Sequence, residues 1–82
     1  MKDVNLIKEE VRNYLLEASL SDPGKIDNET LIFDNGILDS MGLLFLIEFL
    51  TEKYLIEVND EELVPRNFES INNISHFVQQ KL

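Results

Sequence analysis

Apolar residues recur every three or four positions in three separate segments of this 82-residue chain. This spacing places apolar side chains on one face of a helix, whereas a half-buried strand requires alternation, which no segment shows convincingly. A chain this short has a single, marginally stable core, so most apolar positions are needed for burial. The sequence therefore predicts an all-α fold and a single domain over residues 1–82.

The first helix is predicted over residues 3–20, with Asp3 placed to cap its start. Its apolar face comprises Val4, Ile7, Val11, Tyr14, Leu15 and Ala18. Pro23 and Gly24 are poor helix residues and follow its end. The connection that follows, residues 21–39, is long for so small a domain, and a long connection is more often functional than not.

Apolar residues in this connection are spaced as if they fix it over the helices. They are Ile26, Leu31, Phe33, Ile37 and Leu38. The sequence DNG at residues 34–36 predicts a turn in which Gly36 adopts a positive φ. We therefore expect the connection to be ordered.

The second helix is predicted over residues 40–54. Its core face comprises Leu43, Leu46, Ile47, Leu50 and Tyr54, and the opposite stripe comprises Met41, Phe45, Glu48 and Glu52. A helix that is apolar on nearly all sides is usually buried, but so short a chain cannot easily surround one. We therefore expect Met41 and Phe45 to be at least partly exposed, as a docking patch. The alternative is that the long connection folds over them.

Two further helices follow. Asn59 and Glu62 have the spacing of a capping box, which predicts a short third helix bounded by Pro65. The last helix is predicted to begin at Ser70 and to bury Ile71, Ile74, Phe77 and Val78, while Lys81 suits its C-terminal end. The predicted fold is a small four-helix bundle with three main helices, one short helix and a long loop between the first two.

Sixteen acidic residues against seven basic ones give a formal net charge of −9, spread over both halves of the chain. Such a surface repels nucleic acid and anionic lipid and favours basic protein surfaces. The alternative is that the charge only aids solubility. We expect no nucleic-acid partner.

The chain contains no cysteine, which excludes a disulfide framework and a thiolate metal site. The first twenty residues show no cleavable signal pattern, and no apolar run is long enough to span a bilayer. We expect a cytoplasmic monomer without membrane insertion.

Catalysis is not predicted. Asp39, Ser40 and His76 are the residue types of a catalytic triad, but neighbouring Asp39 and Ser40 have no obvious relay geometry. Leu38 also breaks the G-x-S-x-G pattern. What remains is a serine at a helix N-terminus, where unpaired N–H groups and the helix dipole favour a phosphodiester. The alternative is that Ser40 only caps the helix.

The segment LIFDNGILDSM, followed by an apolar helix, resembles the signature of acyl and peptidyl carrier proteins. Gly36, Asp39, Ser40 and Met41 match a G-x-x-D-S-[LM] motif, and FESINNI resembles the family's entry into its last helix. The order of helices and loop is similar to the family's from end to end. The resemblance implies 4′-phosphopantetheine on Ser40, with Asp39 helping a transferase and its metal to engage and Met41 contacting partners.

The resemblance also implies a function without catalysis. A stand-alone carrier of this kind holds acyl or aminoacyl groups as thioesters for fatty-acid, polyketide, peptide or related biosynthesis, and the cofactor supplies the thiol that the chain lacks. The implied partners are a phosphopantetheinyl transferase, an acyl- or aminoacyl-loading ligase or adenylating enzyme, and acyl-processing or transferase enzymes.

One departure concerns the helix after the serine, where fatty-acid carriers display several acidic residues. This chain has Gly42 and Phe45 there, and Glu48 and Glu52 are the acids that remain on that face. Docking is therefore predicted to depend on apolar contact, with Phe45 as its centre. The alternatives are a D-alanyl-type carrier, a discrete carrier of a peptide or polyketide pathway, and an unmodified carrier-like interaction module.

Overall fold

The computed structural model describes residues 3–20 and 23–82, and within these ranges the chain forms four α-helices and no strand. The helices are α1 (Val4–Ser19), α2 (Ser40–Tyr54), α3 (Pro65–Phe68) and α4 (Ile71–Lys81). Two 3₁₀ turns, Pro23–Lys25 and Asp60–Glu62, lie in the connections. This architecture confirms the predicted all-α bundle of three main helices and one short helix.

Side-chain caps set the beginnings of the three longer helices. Asp3 accepts a hydrogen bond from the backbone N–H of Asn5 at 2.9 Å, and Ser70 accepts one from the backbone N–H of Asn73 at 3.2 Å. Both α1 and α2 end at a leucine with a positive φ, 56° at Leu20 and 54° at Leu55. This left-handed conformation closes a helix, although glycine is the usual residue there.

The core lies where α1, α2 and α4 meet. Helix α4 packs along α1, and the short α3 packs against α4. Fully buried apolar side chains come from all four helices, and they are Ile7, Val11, Leu15, Leu46, Leu50, Phe68, Ile71, Ile74 and Val78. Phe77 adds an edge-to-face contact with Phe68, with ring centroids 5.2 Å apart. The buried faces predicted for α1, α2 and α4 are thus confirmed in outline, with Leu43 and Ile47 only partly buried.

The long connection is held against the helices, as predicted, but one of its predicted contacts is wrong. Ile26 and Leu38 are buried, and Phe33 and Ile37 are half-buried. Leu31 is 42% exposed, and its neighbour Ile32 is fully buried instead. The backbone explains the shift by one residue, because the N–H of Ile32 donates to the carbonyl of Glu69 at 2.8 Å and so turns this side chain inward.

The predicted position of the short third helix is also wrong. Residues Asp60–Glu62 form only a 3₁₀ turn, whose start is stabilised by a hydrogen bond from the N–H of Asn59 to Glu62 Oε1 at 2.9 Å. Pro65 does not bound this element; it is the first residue of α3. The first position of a helix suits proline, because its fixed φ is helical and the missing N–H has no intrahelical partner there.

Polar side chains join α1 to the C-terminal end of α2. The Tyr54 hydroxyl donates to Glu10 Oε1 at 2.7 Å, and Lys53 Nζ lies 3.3 Å from Glu10 Oε2. Burial, followed by the hydrogen bond to Glu10, raises the pKa of Tyr54 above its ordinary value. A second tie joins the end of α4 to the 3₁₀ turn, with Lys81 Nζ 2.9 Å from Glu62 Oε1. None of the described helices is both long and apolar enough to cross a membrane.

Two serines, Ser70 that caps α4 and Ser75 within it, are expected to respond to alanine in opposite directions. Ser75 is fully buried, and its Oγ has no hydrogen-bond partner among the described residues. Ser75→Ala removes this unsatisfied group and should raise the free energy of unfolding by about 1 kcal/mol. Ser70→Ala removes the cap of α4 and should lower it by about 1 kcal/mol. Urea denaturation of both variants measures the two changes, and a loss of stability in Ser75→Ala would contradict the assignment.

Candidate functional site

The first turn of α2 is capped by Asp39 and not by Ser40. Asp39 Oδ1 accepts a hydrogen bond from the N–H of Gly42 at 2.8 Å, and the Asp39 carbonyl accepts one from the N–H of Leu43 at 2.9 Å. Ser40 is therefore the first residue of the helix, and its exposed hydroxyl forms no hydrogen bond with the described part of the chain. The interpretation of Ser40 as a cap is wrong, because the neighbouring carboxylate takes that role.

Gly42 allows the preceding loop to pack closely on this turn. A Cβ at this position would lie 3.0 Å from Leu38 Cδ2 and 3.1 Å from Leu38 Cβ, closer than side chains normally approach. Leu38 is almost completely buried beneath the turn. This contact holds the Asp39–Ser40 pair at a defined place on the surface.

The turn before the site matches the prediction for DNG. Gly36 has a φ of 70°, and its N–H donates to the carbonyl of Phe33 at 3.1 Å. The N–H of Ile37 then donates to the carbonyl of Ile32 at 2.9 Å. These bonds tie the residues immediately before Asp39 to the segment that is fixed on the core.

An open cleft of about 1320 Å³ borders Ser40. Its walls come from the C-terminal half of α1, the end of the long loop, α2 and residues 63–65. Four aromatic side chains line it, namely Tyr14, Phe33, Phe45 and Phe49. Ala18, predicted on the buried face of α1, is exposed, because it borders this open cleft and not the core.

The predicted stripe on α2 is at the surface. Met41 is 58% exposed and Phe45 is 57% exposed, so the alternative in which the long loop covers them is wrong. Glu48 and Glu52 are exposed as well, and both line the same cleft. The structure thus places all four stripe residues along the cleft that Ser40 borders, and their role in binding partners stays a prediction.

Sequence reasoning missed two features of this surface. Leu44 is 58% exposed and extends the apolar patch beyond the stripe. Tyr14 of α1 stacks on Phe49 of α2, with ring centroids 4.3 Å apart and planes inclined by 20°. Phe49 follows Phe45 by one turn, a spacing that could have placed it near the patch. Burial, followed by the charge of Glu48, raises the pKa of Tyr14.

His76 does not contribute to the site. It is exposed on α4, and it is not among the residues that line the cleft at Ser40. The three residue types of a triad are therefore not gathered around this cleft.

No family model matches the chain. The chain is similar to a curated protein of Serratia sp. (strain ATCC 39006), the probable acyl carrier protein PigG, with 27% identity over 55 residues. The match covers 67% of this chain and 63% of that relative, which is less than two thirds of the relative's length. Together with the helical fold, this similarity supports a relation to the carrier proteins.

The assignment of the cap predicts different effects for two neighbouring residues. Asp39→Ala leaves the N–H of Gly42 without its acceptor and should lower the free energy of unfolding by about 1 kcal/mol. Ser40→Ala removes an exposed hydroxyl without a partner and should change it by less than about 0.5 kcal/mol. Chemical denaturation of both variants provides the comparison, and equal losses would contradict the role given to Asp39.

Two other neighbours on α2 test whether the apolar patch is at the surface. Phe45→Ala should lower the free energy of unfolding by no more than about 1 kcal/mol, because more than half of the side chain is exposed. Leu46→Ala empties a fully buried position and should cost about 2–5 kcal/mol. Thermal and urea unfolding measure both changes. A loss in Phe45→Ala as large as that in Leu46→Ala would show that Phe45 belongs to the core.

Proposed function

We propose that this chain is a stand-alone carrier protein that holds acyl or aminoacyl groups as thioesters on a 4′-phosphopantetheine arm attached to Ser40. The observation that supports this most directly is the state of the Ser40 hydroxyl. It is exposed, it lies in the first turn of α2, and it is not needed for capping because Asp39 performs that function. The resemblance of the D-S segment and the similarity to a probable acyl carrier protein point to the same residue.

The surroundings of Ser40 suit a phosphodiester. The first residues of a helix carry N–H groups without intrahelical acceptors, and the helix dipole is positive at this end. The N–H of Gly42 donates to the capping carboxylate of Asp39. The N–H groups of Ser40 and Met41, the first two residues of α2, therefore remain for a phosphodiester on Ser40. When bound, the arm supplies the thiol that a chain without cysteine lacks.

Asp39 is proposed to act in modification as well as in folding. One of its carboxylate oxygens caps the helix, while the residue as a whole is exposed beside Ser40. It is therefore accessible to a phosphopantetheinyl transferase and its metal ion, as the resemblance implies. The chain itself has a binding and presenting role, without catalytic residues.

Docking of partner enzymes is proposed for the exposed stripe of Met41, Phe45, Glu48 and Glu52. Its apolar members adjoin Ser40, and its acidic members lie one and two turns further along α2. A partner that approaches Ser40 with an apolar contact and a basic rim complements this arrangement. The proposed partners are the transferase, a loading ligase or adenylating enzyme, and acyl-processing or transferase enzymes.

For the pathway we propose a discrete carrier that works in trans, as a cytoplasmic monomer, in peptide or polyketide biosynthesis or as a D-alanyl-type carrier. The replacement of acidic residues by Gly42 and Phe45 in the helix after the serine speaks against a general fatty-acid carrier. A second candidate is an unmodified interaction module, which the exposure of Met41, Leu44 and Phe45 favours, since it needs only a docking patch.

Intact mass after incubation with coenzyme A, Mg²⁺ and a promiscuous phosphopantetheinyl transferase separates these candidates. We expect the wild-type chain to gain the mass of one 4′-phosphopantetheine and Ser40→Ala to gain nothing, with circular dichroism showing that the variant is folded. Ser75→Ala is the matched serine control and should be modified like the wild type. No gain in the wild type with several transferases would contradict the carrier and favour the unmodified module.

A further inference from the structure

The turn before Asp39 contains a pair of residues with a chemistry of their own. Asn35 and Gly36 are the one place in the chain where glycine follows asparagine, and both residues are exposed to water. Asparagine is a chemically labile residue in proteins. Its side-chain amide can react with the backbone nitrogen of the residue that follows. The turn therefore brings a labile amide, a following backbone nitrogen and water together at the surface.

Glycine at position 36 leaves this backbone nitrogen accessible. A Cβ at Gly36 would meet no heavy atom within 4 Å apart from its chain neighbours, so no other segment crowds the bond between the two residues. Gly36 has a φ of 70°, and glycine changes its backbone conformation more freely than any other residue. The pair can therefore reach the geometry of ring closure once the turn opens.

Three hydrogen bonds restrain the reacting groups while the turn is closed. The backbone N–H of Asn35 and its Nδ2 both donate to the carbonyl of Leu31, at 3.0 and 2.8 Å. The N–H of Gly36, which is the attacking nitrogen, donates to the carbonyl of Phe33 at 3.1 Å. All three donors belong to exposed residues, and exposed loops open at a much lower free energy than the core does. We therefore expect the reaction to proceed from the opened turn.

We propose that Asn35 deamidates without an enzyme and that its conversion loosens the turn that precedes Asp39 and Ser40. The backbone nitrogen of Gly36 gives up its proton and bonds to Asn35 Cγ, while the bond from Cγ to Nδ2 breaks. Nδ2 leaves as ammonia, which carries the proton away. Water then opens the resulting cyclic imide at either of its two carbonyls. The products are aspartate, or isoaspartate in which the main chain continues through the former side-chain carbonyl.

Conversion removes a donor from the turn. The amide of Asn35 donates to the carbonyl of Leu31, whereas a carboxylate at the same place can only accept. Two acceptors that face each other without a proton between them are unfavourable. The isoaspartate product also lengthens the main chain by one carbon and so disturbs the backbone hydrogen bonds donated by Gly36 and Ile37. Ser40 then loses part of the support that the turn gives it.

The proposal goes beyond the carrier function, because it rests on the Asn-Gly pair and the hydrogen bonds of the turn. It needs no cofactor on Ser40 and is tested on the unmodified chain. Its failure therefore leaves the carrier proposal intact.

The first test is incubation of the folded chain in mildly alkaline buffer at physiological temperature, followed over days by peptide mass spectrometry. We expect the peptide that contains Asn35 to gain the mass difference between an amide and a carboxylic acid and to resolve into aspartate and isoaspartate forms. Asn59, which is exposed and followed by Asp60, is the internal control and should be converted several-fold more slowly. Conversion of Asn35 no faster than that of Asn59 would overturn the proposal.

The second test is hydrogen exchange, which measures the loosening itself. Asn35→Asp reproduces the aspartate product and should accelerate the exchange of the Gly36 and Ile37 amides several-fold. Asn13→Asp is the matched control, because it makes the same change of charge at an exposed residue of α1, and it should leave these two amides unchanged. Circular dichroism checks that both variants are folded. Equal exchange of the two amides in both variants would contradict the proposed effect on the turn.

Discussion

The hydrogen bond from the N–H of Gly42 to Asp39 Oδ1 is the interaction on which the arrangement of the site depends. It begins α2 at Ser40, so the serine lies inside the first turn and keeps its hydroxyl exposed. Had Ser40 been the cap, its hydroxyl would be committed to a backbone N–H. The position of the cap, at residue 39 and not at residue 40, therefore decides whether Ser40 has a structural role or is accessible to a modifying enzyme.

The start of α2 at Ser40 in turn depends on the long loop. Leu38 packs under the first turn because Gly42 has no side chain, and the residues before it are tied into a turn around Gly36. Further back, Ile32 and Asn28 form backbone hydrogen bonds with the entry to α4, to Glu69 at 2.8 Å and to Asn72 at 3.0 Å. In a domain with so small a core, the loop thus acts as a structural element that fixes Ser40 relative to the start of α4.

Periodicity and capping chemistry predicted much of this architecture. Residues 40–54 were expected as a helix and form one, because the apolar pattern and the D-S pair agree on its start. Asp3 caps α1 as predicted, and the helix predicted to begin at Ser70 begins one residue later, with Ser70 as its cap. The exposure of Met41 and Phe45 followed from a physical limit, since a chain of this length cannot surround α2.

The remaining features depend on contacts between segments that are distant in sequence. Ile32 replaces Leu31 in the core through a hydrogen bond to Glu69, which no local pattern reveals. Proline after an apolar helix pattern predicts its end, yet proline also favours the first position of a helix, and Pro65 begins α3. The pairing of Tyr14 with Phe49 requires the packing of α1 on α2, so it could not be derived from either helix alone.

The central claim is that Ser40 carries 4′-phosphopantetheine in the cell that makes this protein. Peptide mass spectrometry of the chain isolated from that cell tests it most directly, because fragmentation assigns a modification to a residue. We predict a 4′-phosphopantetheine on the peptide that contains Ser40 and on no other serine. Recovery of this peptide in the unmodified form alone would contradict it.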